Sequence, residues 1–180
     1  MSSLTILGDT SGSVALTAAT VAGSTAITIA AQSGTLNVGG PAFSVTNNGV
    51  AQSVANATWT KLTLNTKDFD TANYFDATTN YRFTPLVGGY YQVSSFVSGP
   101  SNNTQNQITA IYKNGSLYKF LGAVTNLNAT AAVNNGESGS MLLYLNGSTD
   151  YIELWVFQQT GGTVNTAGSA YLTGFLARTA

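Results

Sequence analysis

From residue 42 onward, hydrophobic and polar side chains alternate with a period of two, the spacing of a half-buried strand, and no stretch carries the 3.6-residue period of an amphipathic helix. Such runs cover 42–46, 58–65, 81–84, 89–97, 108–113, 140–145, 151–158 and 170–177. Turn chemistry falls between them. Asn114-Gly115 and Asn146-Gly147 have the form of two-residue hairpin loops, and Asn47-Asn48-Gly49 and Asn134-Asn135-Gly136 are looser signals. Eight or more strands at this spacing predict an all-β sandwich or jelly roll.

Two of these strands are apolar on both sides. In 151–157, Ile152, Leu154 and Val156 share one face, while Tyr151, Glu153, Trp155 and Phe157 share the other. In 89–97, Tyr91, Val93 and Val97 lie opposite Tyr90 and Phe96. A sheet face that met water would carry polar residues, so both faces need cover and an oligomer is expected. Tyr90, Phe96, Tyr151, Glu153, Trp155 and Phe157 are the expected subunit contacts. Glu153 needs a partner there: Tyr hydroxyls, or a cation from among Arg82, Lys113 and Lys119. The alternatives are a core strand that tolerates a Glu, or a Glu153 facing water at a rim.

The first forty residues differ in kind. All of the aromatic residues (two Trp, nine Tyr, eight Phe) lie between Phe43 and Phe175, and residues 1–40 carry one charge, Asp9. Gly39-Gly40-Pro41 marks the change. Residues 4–7, 13–18 and 26–31 read as short strands of small side chains, too little apolar surface to offset the ordering of a separate unit. The division expected is a docking arm, 1–40, and a head, 41–180. The arm would dock through Leu4, Ile6, Val14, Leu16, Ile27 and Ile29; a disordered tail is the alternative.

Composition removes most chemistry. Charged residues make up 7% of the chain, against roughly 25% in typical soluble domains. With a net charge of -1 there is no basic patch for a phosphate backbone, so nucleic acid is not an expected partner. The absence of Cys and His excludes disulfides, thiol nucleophiles, imidazole bases and His-ligated metals. Asp150 and Glu153, three apart on a strand, point to opposite sides and cannot flank one glycosidic bond. No enzyme activity and no cofactor are expected. Asp68, Asp70 and Asp76 are the one acidic cluster; they lack the spacing of a calcium loop and read as turn caps, with calcium as the alternative. Met1-Ser2-Ser3-Leu4-Thr5 lacks the basic start of a signal peptide and no run approaches 18 apolar residues, so the expectation is synthesis in a host cytoplasm without a membrane span.

The head resembles a known family, the globular head of the complement q subcomponent within the tumour-necrosis-factor-like superfamily. The likeness begins at Pro41-Ala42-Phe43-Ser44-Val45 and passes through Trp59-Thr60-Lys61-Leu62, then Tyr81-Arg82-Phe83-Thr84-Pro85 and Gly89-Tyr90-Tyr91-Gln92. It continues through Ile111-Tyr112-Lys113-Asn114-Gly115 and Asp150-Tyr151-Ile152-Glu153-Leu154 to the closing Ala170-Tyr171-Leu172-Thr173-Gly174-Phe175-Leu176. The resemblance implies a ten-stranded antiparallel jelly-roll sandwich forming a homotrimer around aromatic and aliphatic residues near a threefold axis. The collagen-like stalk is missing and the family's acidic calcium loops do not align, so complement signalling is not carried over.

Residues 1–40, with Gly8-Asp9-Thr10-Ser11-Gly12-Ser13-Val14 and Ala26-Ile27-Thr28-Ile29, resemble segments of phage tail-fibre and particle-surface proteins. Together the two resemblances imply a non-enzymatic structural protein of the virion surface. In the first version it is a capsid decoration or cement protein bound to the major capsid or tail protein through 1–40. In the second it is a short tail-fibre or receptor-binding tip, whose loops 99–107 and 126–137 touch a host glycan or protein.

Overall fold

The computed structural model describes residues 3–7, 13–17, 39–99, 106–124, 136–165 and 168–180, and every regular element among them is a strand. The chain divides into two units, Met1–Gly34 and Thr35–Ala180. In the first, β1 (Ser3–Leu7) and β2 (Ser13–Thr17) pair antiparallel, with Leu4 opposite Leu16 and Ile6 opposite Val14. The strand expected at 26–31, with Ile27 and Ile29, lies outside the described residues.

The second unit contains β3 (Ala42–Thr46), β4 (Ser53–Val54), β5 (Thr60–Lys61), β6 (Thr66–Asp70), β7 (Phe75–Asp76), β8 (Arg82–Phe83) and β9 (Gly89–Ser98). They are followed by β10 (Asn106–Lys113), β11 (Ser116–Val124), β12 (Gly136–Leu145), β13 (Ile152–Gln159), β14 (Val164–Asn165) and β15 (Ala170–Thr179). One sheet runs β11-β10-β13-β8-β7, with β5 also on β13; the other runs β12-β9-β15-β3-β6. Sequence neighbours such as β9 and β10, or β12 and β13, fall in different sheets, so the chain crosses between layers as a jelly roll does. The two sheets hold eleven strands (six and five) where ten were expected, because several pair over only two residues.

Alternation along the long strands builds the core. Tyr91, Val93 and Val97 of β9, Ile152, Leu154 and Val156 of β13, and Leu172 and Leu176 of β15 are buried between the sheets. Each such side chain contributes about 1.5–3 kcal/mol relative to exposure. Phe43 stacks on Phe83 with ring centroids 4.1 Å apart, and Phe83 meets the Tyr91 ring edge-on at 5.5 Å. The Tyr91 hydroxyl donates to Val87 O at 2.8 Å, and burial pushes its pKa up to about 12. Gln158, also buried, is satisfied by donating to the carbonyls of Val54 and Gly162.

Several expectations need correction. Asn114 and Gly115 have φ of 54° and 78° and close the β10–β11 hairpin, as their type requires. Asn146-Gly147 closes no hairpin, because β12 and β13 belong to opposite sheets. There the Asn146 side-chain oxygen accepts the backbone N–H groups of Ser148, Thr149 and Asp150 and turns the chain across the sandwich. Strand β11 follows the predicted turn but its own alternation is broken by two register shifts against β10. Strand β6 reads Thr-Lys-Asp-Phe-Asp, the polar composition of an edge. The expected strand at 58–65 pairs only at Thr60–Lys61, although Leu62 and Leu64 still fill the core.

Glycine closes the seam between the edge strands β11 and β12. A Cβ at Gly139 would collide with the Leu121 carbonyl, and one at Gly122 would come within 3.2 Å of Ser138 O. The backbone must therefore move if Gly139 gains a methyl group. Gly139→Ala is expected to cost about 1–3 kcal/mol, the usual range for overpacking, and to lower the melting temperature. Gly162→Ala, where nothing lies within 4 Å, should melt like the unaltered protein. Equal melting of the two variants would contradict the close approach.

Candidate interaction surfaces

With the core between the sheets, each sheet has an outer face, and the two faces are built differently. On the five-stranded sheet, antiparallel register places Tyr144 opposite Tyr90, and Tyr90 opposite Arg178. The next row of the same face sets Leu142 and Phe175 on either side of Gln92. Farther along, Phe96 pairs with Tyr171. The rings of Tyr90 and Tyr144 are 5.6 Å apart, and those of Phe96 and Tyr171 stack at 5.8 Å. Leu142 and Phe175 are 53% and 52% exposed, and Tyr90, Tyr144 and Tyr171 are exposed too. The row between these two groups is polar, with Ser140 and Thr173 on either side of Ser94, so the face carries two groups of exposed apolar side chains. Exposed apolar groups of this kind make the face a candidate interaction surface.

The outer face of the six-stranded sheet covers itself. The segment carrying Trp59 and Lys61 pairs beside β13 through β5, with Lys61 in register with Trp155. Trp59 contacts the rings of Tyr112, Phe120 and Phe157 at 5.8, 6.0 and 5.3 Å, and Tyr112 stacks on Trp155 at 4.3 Å. Glu153 is buried in this layer. Its Oε1 accepts from Lys61 Nζ at 3.1 Å and its Oε2 from the Trp155 indole N–H at 3.0 Å. Lys61 also donates to Asn80 O, so one ammonium group ties three segments together.

The structure therefore separates the six residues expected at one contact. Tyr90 and Phe96 belong to the five-stranded face, while Tyr151, Glu153, Trp155 and Phe157 belong to the six-stranded one. The cation on Glu153 is Lys61, which is none of the expected three. Arg82 lies 4.2 Å over the Tyr151 ring, Lys113 pairs with Asp150 at 2.8 Å, and Lys119 lies 5.9 Å from the Tyr118 ring. Sequence reasoning passed over Leu142, Tyr144, Tyr171 and Phe175, although their alternation with Leu143, Leu145, Leu172 and Leu176 carried the signal.

The acidic residues serve local structure. Asp68 accepts from the Ser44 hydroxyl at 2.7 Å. Burial pushes the Asp70 carboxyl up, but the N–H groups of Phe75 and Tyr74 and the Lys67 ammonium outweigh it and hold its pKa below the ordinary value. Asp76 is held far lower by the N–H groups of Thr79 and Thr78, with help from Asn80. Asp150, despite partial burial, is lowered by Asn114, Lys113 and the Asn146 N–H. Among the described residues, no three such side chains are grouped as metal ligands. Asp150 and Glu153 are each neutralised by a different lysine, Lys113 and Lys61.

Removing the Glu153 carboxylate would leave Lys61 and the Trp155 N–H without their acceptor. Glu153→Ala is expected to cost about 1–3 kcal/mol, and Lys61→Met should cost less, since its charge is the more solvent-exposed of the two. The double variant should lose less than the sum of the singles. Strictly additive melts would show that the pair is not coupled.

The sequence matches no family model, and no curated protein matches it. Solved structures do share the fold. The PRD1 vertex protein P5 superposes with a TM-score of 0.56 at 17% identity, over 76% of this chain and 96% of that one. The Eiger TNF from S. frugiperda gives 0.55 at 12% identity, over 78% and 94%. Murine APRIL gives 0.52 at 11% identity, over 77% and 99%. At these identities the likeness speaks for architecture, and the architecture is the tumour-necrosis-factor-like jelly roll.

Proposed function

We propose that this chain is a non-enzymatic structural protein of a phage virion surface, a homotrimer joined through the outer face of its five-stranded sheet. The observation that carries the assembly is that face, with Tyr90, Leu142, Tyr144, Tyr171 and Phe175 exposed together. A soluble monomer rarely leaves so many large apolar side chains exposed on one sheet face. A closed ring of copies covers it without leaving an open, fibre-forming contact. The virion role is supported by the fold shared with a vertex protein, P5 of PRD1, and by the fibre-like composition of residues 1–40.

In this reading the chain decorates or cements the capsid, and residues 1–40 attach it to the major capsid or tail protein through Leu4, Ile6, Val14, Leu16, Ile27 and Ile29. A small-residue strand pair suits docking against another protein's strands by β-augmentation. The 41–180 head then stands on the particle surface as the trimerising unit. A second reading, a short tail-fibre or receptor-binding tip, is favoured by the aromatic outer face of the six-stranded sheet. Copy number in purified particles separates the two, because decoration needs hundreds of copies.

Light scattering of the full chain is expected to return three times the 18.6 kDa chain mass. The double variant Leu142→Asp with Phe175→Asp places two charges on the face and should return one chain mass while keeping its strand content. A single-chain mass for the unaltered protein at micromolar concentration would overturn the assembly.

A further inference from the structure

A closed ring of three copies repeats one heterologous contact, so the five-stranded face needs a second, different patch to receive. Outside that face, the large apolar side chains exposed among the described residues are Val50, Phe69 and Leu86, on separate segments, and Leu117, Tyr118 and Phe120, together on β11. Strand β11 ends its sheet, and an edge strand with exposed apolar side chains pairs or packs with another chain unless it is covered. It also borders the five-stranded face. A Cβ on Gly139 would strike the Leu121 carbonyl, and one on Gly122 would press on Ser138 O. Those two approaches set β11 antiparallel beside β12, with Tyr118 near the level of Leu142 and Phe120 near that of Ser140.

Across the face, the level of Leu142 runs through Gln92 to Phe175. The level of Ser140 runs through Ser94, Thr173 and Ser44 to Asp68, whose carboxylate accepts from the Ser44 hydroxyl. We propose that the β11 border of one copy seats on the β6 border of the next about an axis along the strands, with Lys119 paired to Asp68 of the partner subunit. The inference rests on the trimer proposed above and names the two sides of its contact. Rotation about such an axis leaves levels unchanged, so Leu117 and Tyr118 meet the neighbouring Phe175 level while Lys119 and Phe120 meet that of Asp68. The charges agree with this placement. Asp68 is exposed and has no cation among the described residues, and Lys119 lies beside the Tyr118 ring with no carboxylate. Of the other cations without a carboxylate, Arg82 lies over Tyr151 and Arg178 stands in the Tyr90 row, away from the level of Asp68. Opposite charges at one level fix the register in which two apolar borders meet.

Light scattering over a dilution series is run on the full chain, on Lys119→Glu, on Asp68→Lys and on the double variant that exchanges the two charges, with circular dichroism as the check of strand content. The unaltered protein is expected as a trimer. Each single reversal sets like charges against each other and should raise the concentration of half dissociation about tenfold. The double variant restores opposite charges and should return close to the unaltered value, a rescue that a folding defect could not give. A trimer that neither single reversal weakens, or that the double variant fails to restore, would overturn the ion pair and leave the trimer standing. One chain mass for the unaltered protein would overturn the trimer and this contact with it.

Discussion

Both sheets of this sandwich carry apolar side chains on both sides, and a single core can cover only one side of each. Everything distinctive about the molecule follows from how the two outer faces meet that constraint. The six-stranded sheet meets it within the subunit: the segment carrying Trp59 and Lys61 pairs beside β13, Ala110 disappears beneath the rings, and Glu153 fixes the layer with two charge-assisted hydrogen bonds. Among the described residues, the five-stranded sheet has no such cover. Leu142 and Phe175 remain half exposed beside Tyr90 and Tyr144, a hydrophobic surface whose burial would stabilise the proposed assembly more than the single chain.

The scarcity of charge makes each ionic contact specific. Lys61, Lys67 and Lys113 are each matched to one carboxylate, respectively Glu153, Asp70 and Asp150, and each pair joins separate segments or closes a turn. In each pair a partly exposed ammonium meets a largely buried carboxylate, so the attraction is set against the cost of desolvating the acid. Their effect here is positional, since Lys61 also holds the Asn80 carbonyl and Lys113 that of Tyr144. The remaining outer surface relies on Thr, Ser, Asn and Gln, which offer hydrogen bonds without charge.

Period-two alternation made β3, β9, β13 and β15 legible, together with their buried faces, because these strands are long or flanked by clear turns. It also showed that β9 and β13 are apolar on both sides. It could not show that their outward sides belong to opposite sheets, since strand order arises from pairings between residues far apart in the chain. The same limit hid the partner of Glu153: Lys61 stands 92 residues away in sequence and reaches it only because β5 pairs with β13. Identical dipeptides met different fates for a local reason. Asn114-Gly115 joins strands of one sheet, whereas Asn146 uses its side chain to cap the three following N–H groups and carry the chain across layers. Strand β11 escaped notice because its bulges interrupt the alternation on which such readings depend.

The central claim is that the five-stranded outer face is covered when the protein is at work. The chain contains no cysteine, so a single introduced thiol reports on one position without background. Leu142→Cys places it on the face, and Val50→Cys places one at a position that is 60% exposed in a loop away from the sheet. Reaction of both variants with a soluble thiol reagent, in the native full-length protein, is the direct measurement. The account predicts that the thiol at 50 reacts at the rate of a free thiol while that at 142 is protected at least tenfold and becomes reactive on dissociation. Equal, fast reaction at both positions in the native protein would contradict it.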